Sequence, residues 1–169
     1  SDLGQARQLL EPLILDSTLS ATSGAYQTFR NLGASFAQLN MWKQAIVAYQ
    51  ISVNALPAAV DVRMRLADAY EQAREPQRAA SEYERLLTQA LPRRYRIECL
   101  YKFATLELTE NRRRQQQDRN WSDFDEAVKE LQKLIPDDYI PIILAAERDV
   151  LREGKTKHED IFSRLKASE

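Results

Sequence analysis

Two stretches of this chain repeat one pattern of residues at a constant distance of 34 positions. Five pairs of small, apolar or aromatic residues share this offset: Leu32 and Leu66, Gly33 and Ala67, Phe36 and Tyr70, Ala45 and Ala79, and Tyr49 and Tyr83. A constant period of this length is typical of proteins built from stacked helical pairs. One such pair cannot bury its apolar face alone, so neighbouring pairs must share a core. The period therefore predicts an all-α repeat array.

The residues that recur have a physical role in common. Gly33 and Ala67 carry little or no side chain, so the backbones of two antiparallel helices can approach closely at these positions. Ala45 and Ala79 allow the same approach from the facing helix. The aromatic residues are then expected to fill the space between neighbouring units: Phe36, Tyr49, Tyr70 and Tyr83.

The first copy resembles a tetratricopeptide repeat (TPR), a helix–turn–helix unit of the same period. Its matching residues all stand at the family's spacing: Phe29, Leu32, Gly33, Phe36, Ala45, Tyr49 and Pro57. The second copy departs at Arg63, which stands where Phe29 does in the first, and at Pro92, which comes one residue late. The resemblance implies a right-handed superhelical solenoid of antiparallel helix pairs.

A looser form of the pattern continues on both sides of residues 26–92, so we predict one helical-repeat domain of about nine helices over residues 1–169. Its expected parts are a partial upstream repeat (1–25), a first repeat (26–59), a second repeat (60–92), a third repeat (93–136) with a polar insertion (110–120), and a degenerate repeat or C-terminal cap (137–169). We expect the insertion to form a turn, with room for the first helix of the third repeat to run on into it.

The composition agrees with such an array, since the chain has only 4 Gly and 44% of its residues are hydrophobic. Its apolar runs, such as residues 139–146, are much shorter than the roughly 20 residues that a membrane-spanning helix needs. The start shows no signal peptide, but it also lacks Met and lies inside a repeat, so we expect a piece of a longer protein. The compartment therefore stays open, with the cytoplasm favoured.

The residues that usually carry chemistry are scarce. Cys99 is the only cysteine and His158 the only histidine, which excludes an internal disulfide and a zinc site of the usual ligand types. Cys99 lies between apolar residues of a predicted helix, so we expect a buried thiol. Carboxylates fall at the spacing of ordinary exposed helix faces, and no Gly-rich phosphate loop is present. We therefore predict no catalytic residues, no cofactor and no metal.

The resemblance implies that the first helix of each unit lines a concave face, where this family commonly binds peptides or partner helices. The residues expected on that face come from the non-core sides of two first helices: Gln27, Arg30, Asn31, Ala34, Gln38, Asp61, Met64, Arg65, Asp68 and Gln72. Arg30, Asn31, Arg65 and Asp68 would set the register of a partner, and Ala34 and Met64 would add apolar contact.

The mixed charges of this face favour a partner segment that is itself mixed in charge. One branch of the family grips a C-terminal carboxylate, but here Ala34 stands where that branch needs an amide. Asp61 and Asp68 would also repel an acidic tail. The alternative is that these residues form an exposed, solvated face with no role in binding.

A second feature is basic. Between Arg93 and Arg119 there are seven Arg and one Lys against four acids, whereas the whole chain has a net charge of −1. The arginines of this segment are Arg93, Arg94, Arg96, Arg112, Arg113, Arg114 and Arg119. Tyr95 and Tyr101 are interleaved, as single-stranded nucleic acid would require for stacking. Against that interpretation, the excess is local, the pI is near 6.0 and no repeated base-reading positions are evident.

Three hypotheses follow. The chain is expected to be a non-catalytic scaffold or adaptor that binds a protein or peptide in the groove of a TPR array. The first alternative is an RNA-binding helical repeat centred on the basic segment. The second is a domain that associates with its own chain through its end helices.

Overall fold

The structure, a computed structural model, describes residues 23–153. In this range it contains seven α-helices, one 3₁₀ turn and no strand. The helices are α1 (Ser23–Gln38), α2 (Trp42–Ala55), α3 (Val60–Gln72), α4 (Pro76–Leu87), α5 (Arg93–Arg113), α6 (Ser122–Leu134) and α7 (Ile140–Glu153). The prediction of an all-α chain is confirmed for this range. Two of the roughly nine predicted helices, and His158, lie outside the described residues.

The chain divides into two compact units, Ser1–Leu86 and Leu87–Glu169. In the first unit α1 packs on α2 and α2 packs on α3; in the second, α5 packs on α6, α6 packs on α7 and α5 touches α7. Each unit thus brings sequential helices together, as a repeat requires. None of the described helices has both the length and the apolar character needed to cross a bilayer.

The close approach predicted at Gly33 is confirmed. A Cβ atom added at Gly33 would lie 2.6 Å from Cδ1 and Cε1 of the Tyr49 ring, so α1 and α2 meet with no room for even a methyl group. The other small residues of the repeated pattern, Ala45, Ala67 and Ala79, are fully buried. Around this contact, Phe29 packs in a cluster with Ala25, Ala48 and Ile51.

The turns that join α1 to α2 and α3 to α4 repeat the 34-residue period in the backbone itself. Asn40 and Arg74 both have positive φ, 57° and 62°. After α1, the N–H of Asn40 donates to Ala37 O (3.0 Å) and the N–H of Met41 to Phe36 O (2.9 Å). After α3, the same two bonds recur 34 residues later, with lengths of 3.0 and 2.9 Å: Arg74 to Glu71 O and Glu75 to Tyr70 O. Both helices therefore end in the same Schellman motif, which satisfies their last carbonyls.

The departure at Arg63 has a structural explanation. Its guanidinium Nη1 lies 2.7 Å from Glu82 Oε2, and both side chains are largely buried. Glu82 is the 34-residue counterpart of Ala48, just as Arg63 is the counterpart of Phe29. An apolar pair in the first copy is therefore replaced by an ion pair in the second.

The second unit surrounds a continuous apolar core. Its buried members are Leu100, Ala104, Leu108, Phe124, Ala127, Val128, Leu131 and Leu144. Trp121 packs edge-on against Phe124 at the start of α6, with ring centroids 5.7 Å apart. Cys99 is buried, as predicted.

The predicted polar insertion is partly helical, because α5 runs through Arg113 and only residues 114–121 form the connection. Asn111 is fully buried and holds this connection in place. Its amide nitrogen donates to Asn120 O (2.7 Å), and its amide oxygen accepts from the Asn120 N–H (2.9 Å). Arg119 donates to Asn111 O near the end of α5 (3.0 Å) and to Leu151 O in α7. Side-chain hydrogen bonds therefore hold the connection between α5 and α6, whereas the Schellman turns after α1 and α3 are held by backbone hydrogen bonds.

Candidate functional site

The polar sides of α1 and α3 adjoin one another. Arg30 Nε on α1 lies 3.1 Å from Asp61 Oδ2 on α3, and each side chain is about a third exposed (32% and 37%). Both residues were predicted to line the groove from separate first helices. The ion pair shows that the two first helices present these residues on one surface.

Tyr49 is buried and interacts with residues of this surface. It lies on α2, is 2% exposed, and its phenol interacts electrostatically with Arg65 on α3. Burial raises the pKa of the Tyr49 phenol, while the Arg65 guanidinium opposes that rise, and the charges of Asp68 and Arg30 also act on it. The hydroxyl therefore lies within the field of three of the predicted groove residues.

Tyr83, the counterpart of Tyr49, makes a different connection. Its hydroxyl lies 2.8 Å from Asp68 Oδ1 and 2.9 Å from Glu71 Oε1, both on α3. Burial, and then the two carboxylates, raise the pKa of this phenol far above its usual value. Glu71 was missed in the groove prediction. The available signal was its position one helical turn after Asp68, where a side chain faces the same way.

Four predicted groove residues thus take part in polar interactions in this region: Arg30 pairs with Asp61, Arg65 acts on the Tyr49 phenol, and Asp68 lies against the Tyr83 hydroxyl. The exposed members of the predicted set are Gln27, Asn31, Gln38, Arg65 and Gln72, and Ala34 is half-buried. Met64 is different, since it is only 6% exposed. The apolar contact expected from Met64 is corrected accordingly, because its side chain is committed to the core.

The basic segment is not one surface. Arg94 lies in the first turn of α5 and Arg112 in its last, which places them about 27 Å apart at 1.5 Å per residue. The two groups of arginines therefore occupy opposite ends of a single helix.

Most of these arginines also have partners within the second unit. Arg93 donates to Leu134 O at the end of α6, and Arg96 pairs with Glu130. At the other end, Arg112 lies 3.4 Å from Glu147, while Arg113 and Arg114 each lie 3.9 Å from Glu110. Arg119 is held by the carbonyls described above, and Arg94 is exposed. Most arginines of the basic segment therefore bind carbonyls at helix ends or form ion pairs within the second unit.

Across residues 23–153, no three His, Cys, Asp or Glu side chains are grouped so that they could hold a metal ion. No protein-family model, curated protein or solved structure matches this chain.

Proposed function

We propose that this chain is a non-catalytic interaction scaffold of the TPR type, and that its first unit binds a protein partner along α1 and α3. The binding surface, named here the α1–α3 face, consists of Gln27, Arg30, Asn31, Ala34, Gln38, Asp61, Arg65, Asp68 and Gln72. The helix pairs of the repeats would be antiparallel and would stack into a right-handed solenoid. The observation that carries the proposal is the Arg30–Asp61 ion pair, because it joins the polar sides of two successive first helices.

The chemistry of the face favours a peptide segment of mixed charge. The exposed amides of Gln27, Asn31, Gln38 and Gln72 can each donate and accept, which matches the alternating N–H and C=O groups of a partner's backbone. Arg65 is exposed and can pair with a partner carboxylate. The Arg30–Asp61 pair offers both signs at the junction of the two helices.

These contacts would help to hold the face rigid. The buried Tyr83 hydroxyl holds Asp68, so this side chain would lose little further conformational freedom when a partner binds. Preorganised polar groups of this kind contribute to specificity more than to raw affinity. We therefore expect selection among partner sequences rather than indiscriminate binding.

Partner capture tests the proposal. The native chain, Arg30→Glu/Arg65→Glu and the control Lys43→Glu/Arg78→Glu are each immobilised and exposed to lysate, with and without nuclease. Both variants change the charge by the same amount, but the control residues lie on the second helices α2 and α4 and are exposed. We expect protein partners that survive nuclease, bind the control variant and are lost with Arg30→Glu/Arg65→Glu.

Two other outcomes would overturn the proposal. Capture that nuclease abolishes, and that the groove variant does not alter, would favour nucleic acid at the ends of α5. Recovery of the chain's own copies alone, with a mass that rises with concentration, would indicate self-association.

A further inference from the structure

Helices α6 and α7 leave a groove between them in the second unit. It has a volume of about 500 Å³ and is open along one side. Its floor is apolar and is made by Val128, Pro141, Ile142 and Ala145. Pro141 and Ala145 are small or compact. The space between α6 and α7 therefore stays open, where larger side chains would have filled it.

The rim of the groove carries an uneven charge. Arg148 is fixed by carboxylates on both sides, since it pairs with Asp125 and its Nη2 lies 2.8 Å from Asp149 Oδ1. Its charge is therefore offset within the unit. Lys129 and Lys133 also line the groove, are exposed, and form no ion pair with any described residue. The positive charge left for a ligand is that of the two lysines.

The spacing of the lysines restricts the shape of the ligand. They stand four residues apart on α6, so their ammonium groups follow one edge of the groove over one helical turn. A trough between two helices with an apolar floor accepts the apolar stripe of a third helix. Carboxylates one turn apart on that helix would then face Lys129 and Lys133.

We propose that the α6–α7 groove binds an acidic amphipathic helix of a protein partner, with a large apolar side chain seated on the floor and flanking carboxylates on the two lysines. The site lies wholly within the second unit and does not use any residue of the α1–α3 face. The scaffold would therefore hold two partners of different chemistry, a mixed-charge segment at the first unit and an acidic helix at the second.

The test uses a synthetic helical peptide with a Leu-Leu-Phe face flanked by Glu, labelled with fluorescein, and the intact chain. Three proteins are compared by fluorescence anisotropy: the native chain, Lys129→Glu/Lys133→Glu, and the control Lys43→Glu/Arg94→Glu, which makes the same charge change at exposed positions outside the groove. We expect the groove variant to weaken binding about tenfold or more and the control less than about twofold. Raising salt should weaken binding to the native chain.

Two further measurements test the apolar contact with the groove floor and the position of the bound peptide. A peptide with Phe replaced by Ala should lose affinity for the native chain, and amide shifts of the native chain should cluster on Val128, Ile142 and Ala145. No binding at millimolar peptide, equal weakening by both protein variants, or shifts elsewhere would overturn the proposal. So would a single-stranded oligonucleotide that binds the same residues while the acidic peptide does not.

Discussion

The two copies of the repeat in the first unit have the same backbone turns but differ in the side chains packed between their helices. Both end their first helix in a Schellman turn with one residue at positive φ, and both bury small residues at matching positions. Between these common points, the Phe29 and Ala48 positions of the first copy become the Arg63–Glu82 ion pair of the second. Turns and small residues therefore specify the helical pair, whereas the positions between them accept either apolar packing or a buried charge pair.

The largest effect is expected from breaking the ion pair of the second copy. Glu82→Ala leaves the Arg63 guanidinium largely buried without its carboxylate, and should lower the free energy of unfolding by about 3 kcal/mol. The double variant Arg63→Phe/Glu82→Ala installs the residues of the first copy and should recover most of that loss. Urea denaturation measures both values.

The double variant has a further reason to be stable, because Arg63 Nε is buried in the native chain without a hydrogen-bond partner among the described residues. If the double variant were as unstable as Glu82→Ala alone, the two copies would not be interchangeable at these positions.

The next effect concerns the helix crossing. Gly33→Ala places a methyl group 2.6 Å from the Tyr49 ring, and such overpacking should cost about 1–3 kcal/mol, partly offset by the better helix propensity of Ala. The matched change Ala67→Gly should also destabilise, by about 1 kcal/mol, because the second copy is fitted to a methyl group. Thermal unfolding of the two variants measures both losses of stability. A gain in stability from Gly33→Ala would contradict the close contact.

The tyrosines of the two copies should differ in alkaline solution. Above a pH of about 10 an unfolded tyrosine ionises, but burial raises the pKa of Tyr49 and Tyr83 in the folded chain, so they remain protonated. The unfolded state then releases protons and the free energy of unfolding falls, by up to about 1.4 kcal/mol per pH unit for each tyrosine.

Replacing either tyrosine by Phe should flatten this alkaline loss. The flattening should extend to higher pH for Tyr83→Phe, since Asp68 and Glu71 add to the rise in its pKa, whereas Arg65 opposes the rise at Tyr49. Denaturation between pH 9 and 12 gives the two slopes. Equal slopes in both variants and the native chain would mean that these phenols ionise in the folded state.

The smallest effect is expected at the turns. Arg74 and Asn40 occupy the same left-handed position, but Asn tolerates this conformation better than Arg because its short side chain can bond locally. Arg74→Gly should therefore raise the free energy of unfolding by about 0.5–1 kcal/mol, and Asn40→Gly by less. Paired thermal melts measure the difference. A loss of stability in Arg74→Gly would show that its side chain does more than occupy the turn.

Much of the first unit was predictable from the sequence because its signals are local and repeat. The contact at Gly33 and the burial of Ala45 and Ala79 follow directly from residue size at a fixed spacing. The ion pair of Arg63 was not foreseen, since Arg63 was read alone as a departure from the pattern. Comparing its partner position, where Ala48 gives way to Glu82, would have revealed it.

The second unit was less predictable because long-range contacts shape it. The arginines near Arg112 suggested one basic surface, but helix α5 separates them from Arg94 by about 27 Å. The role of Asn111 depends on Asn120, nine residues away in a connection without regular pattern. Met64 was assigned to the groove from its place on the helix, yet its side chain is buried.

Photo-crosslinking tests the central claim, that the α1–α3 face contacts a partner, most directly. A benzoylphenylalanine residue is introduced at Asn31 or Gln72 on that face, or at Gln77 or Ser81 on α4 as controls, all four positions being exposed. After irradiation in lysate, we predict that Asn31 and Gln72 give the same crosslinked protein and that the α4 positions do not. Crosslinks to that protein from the α4 positions, with none from Asn31 or Gln72, would contradict the account.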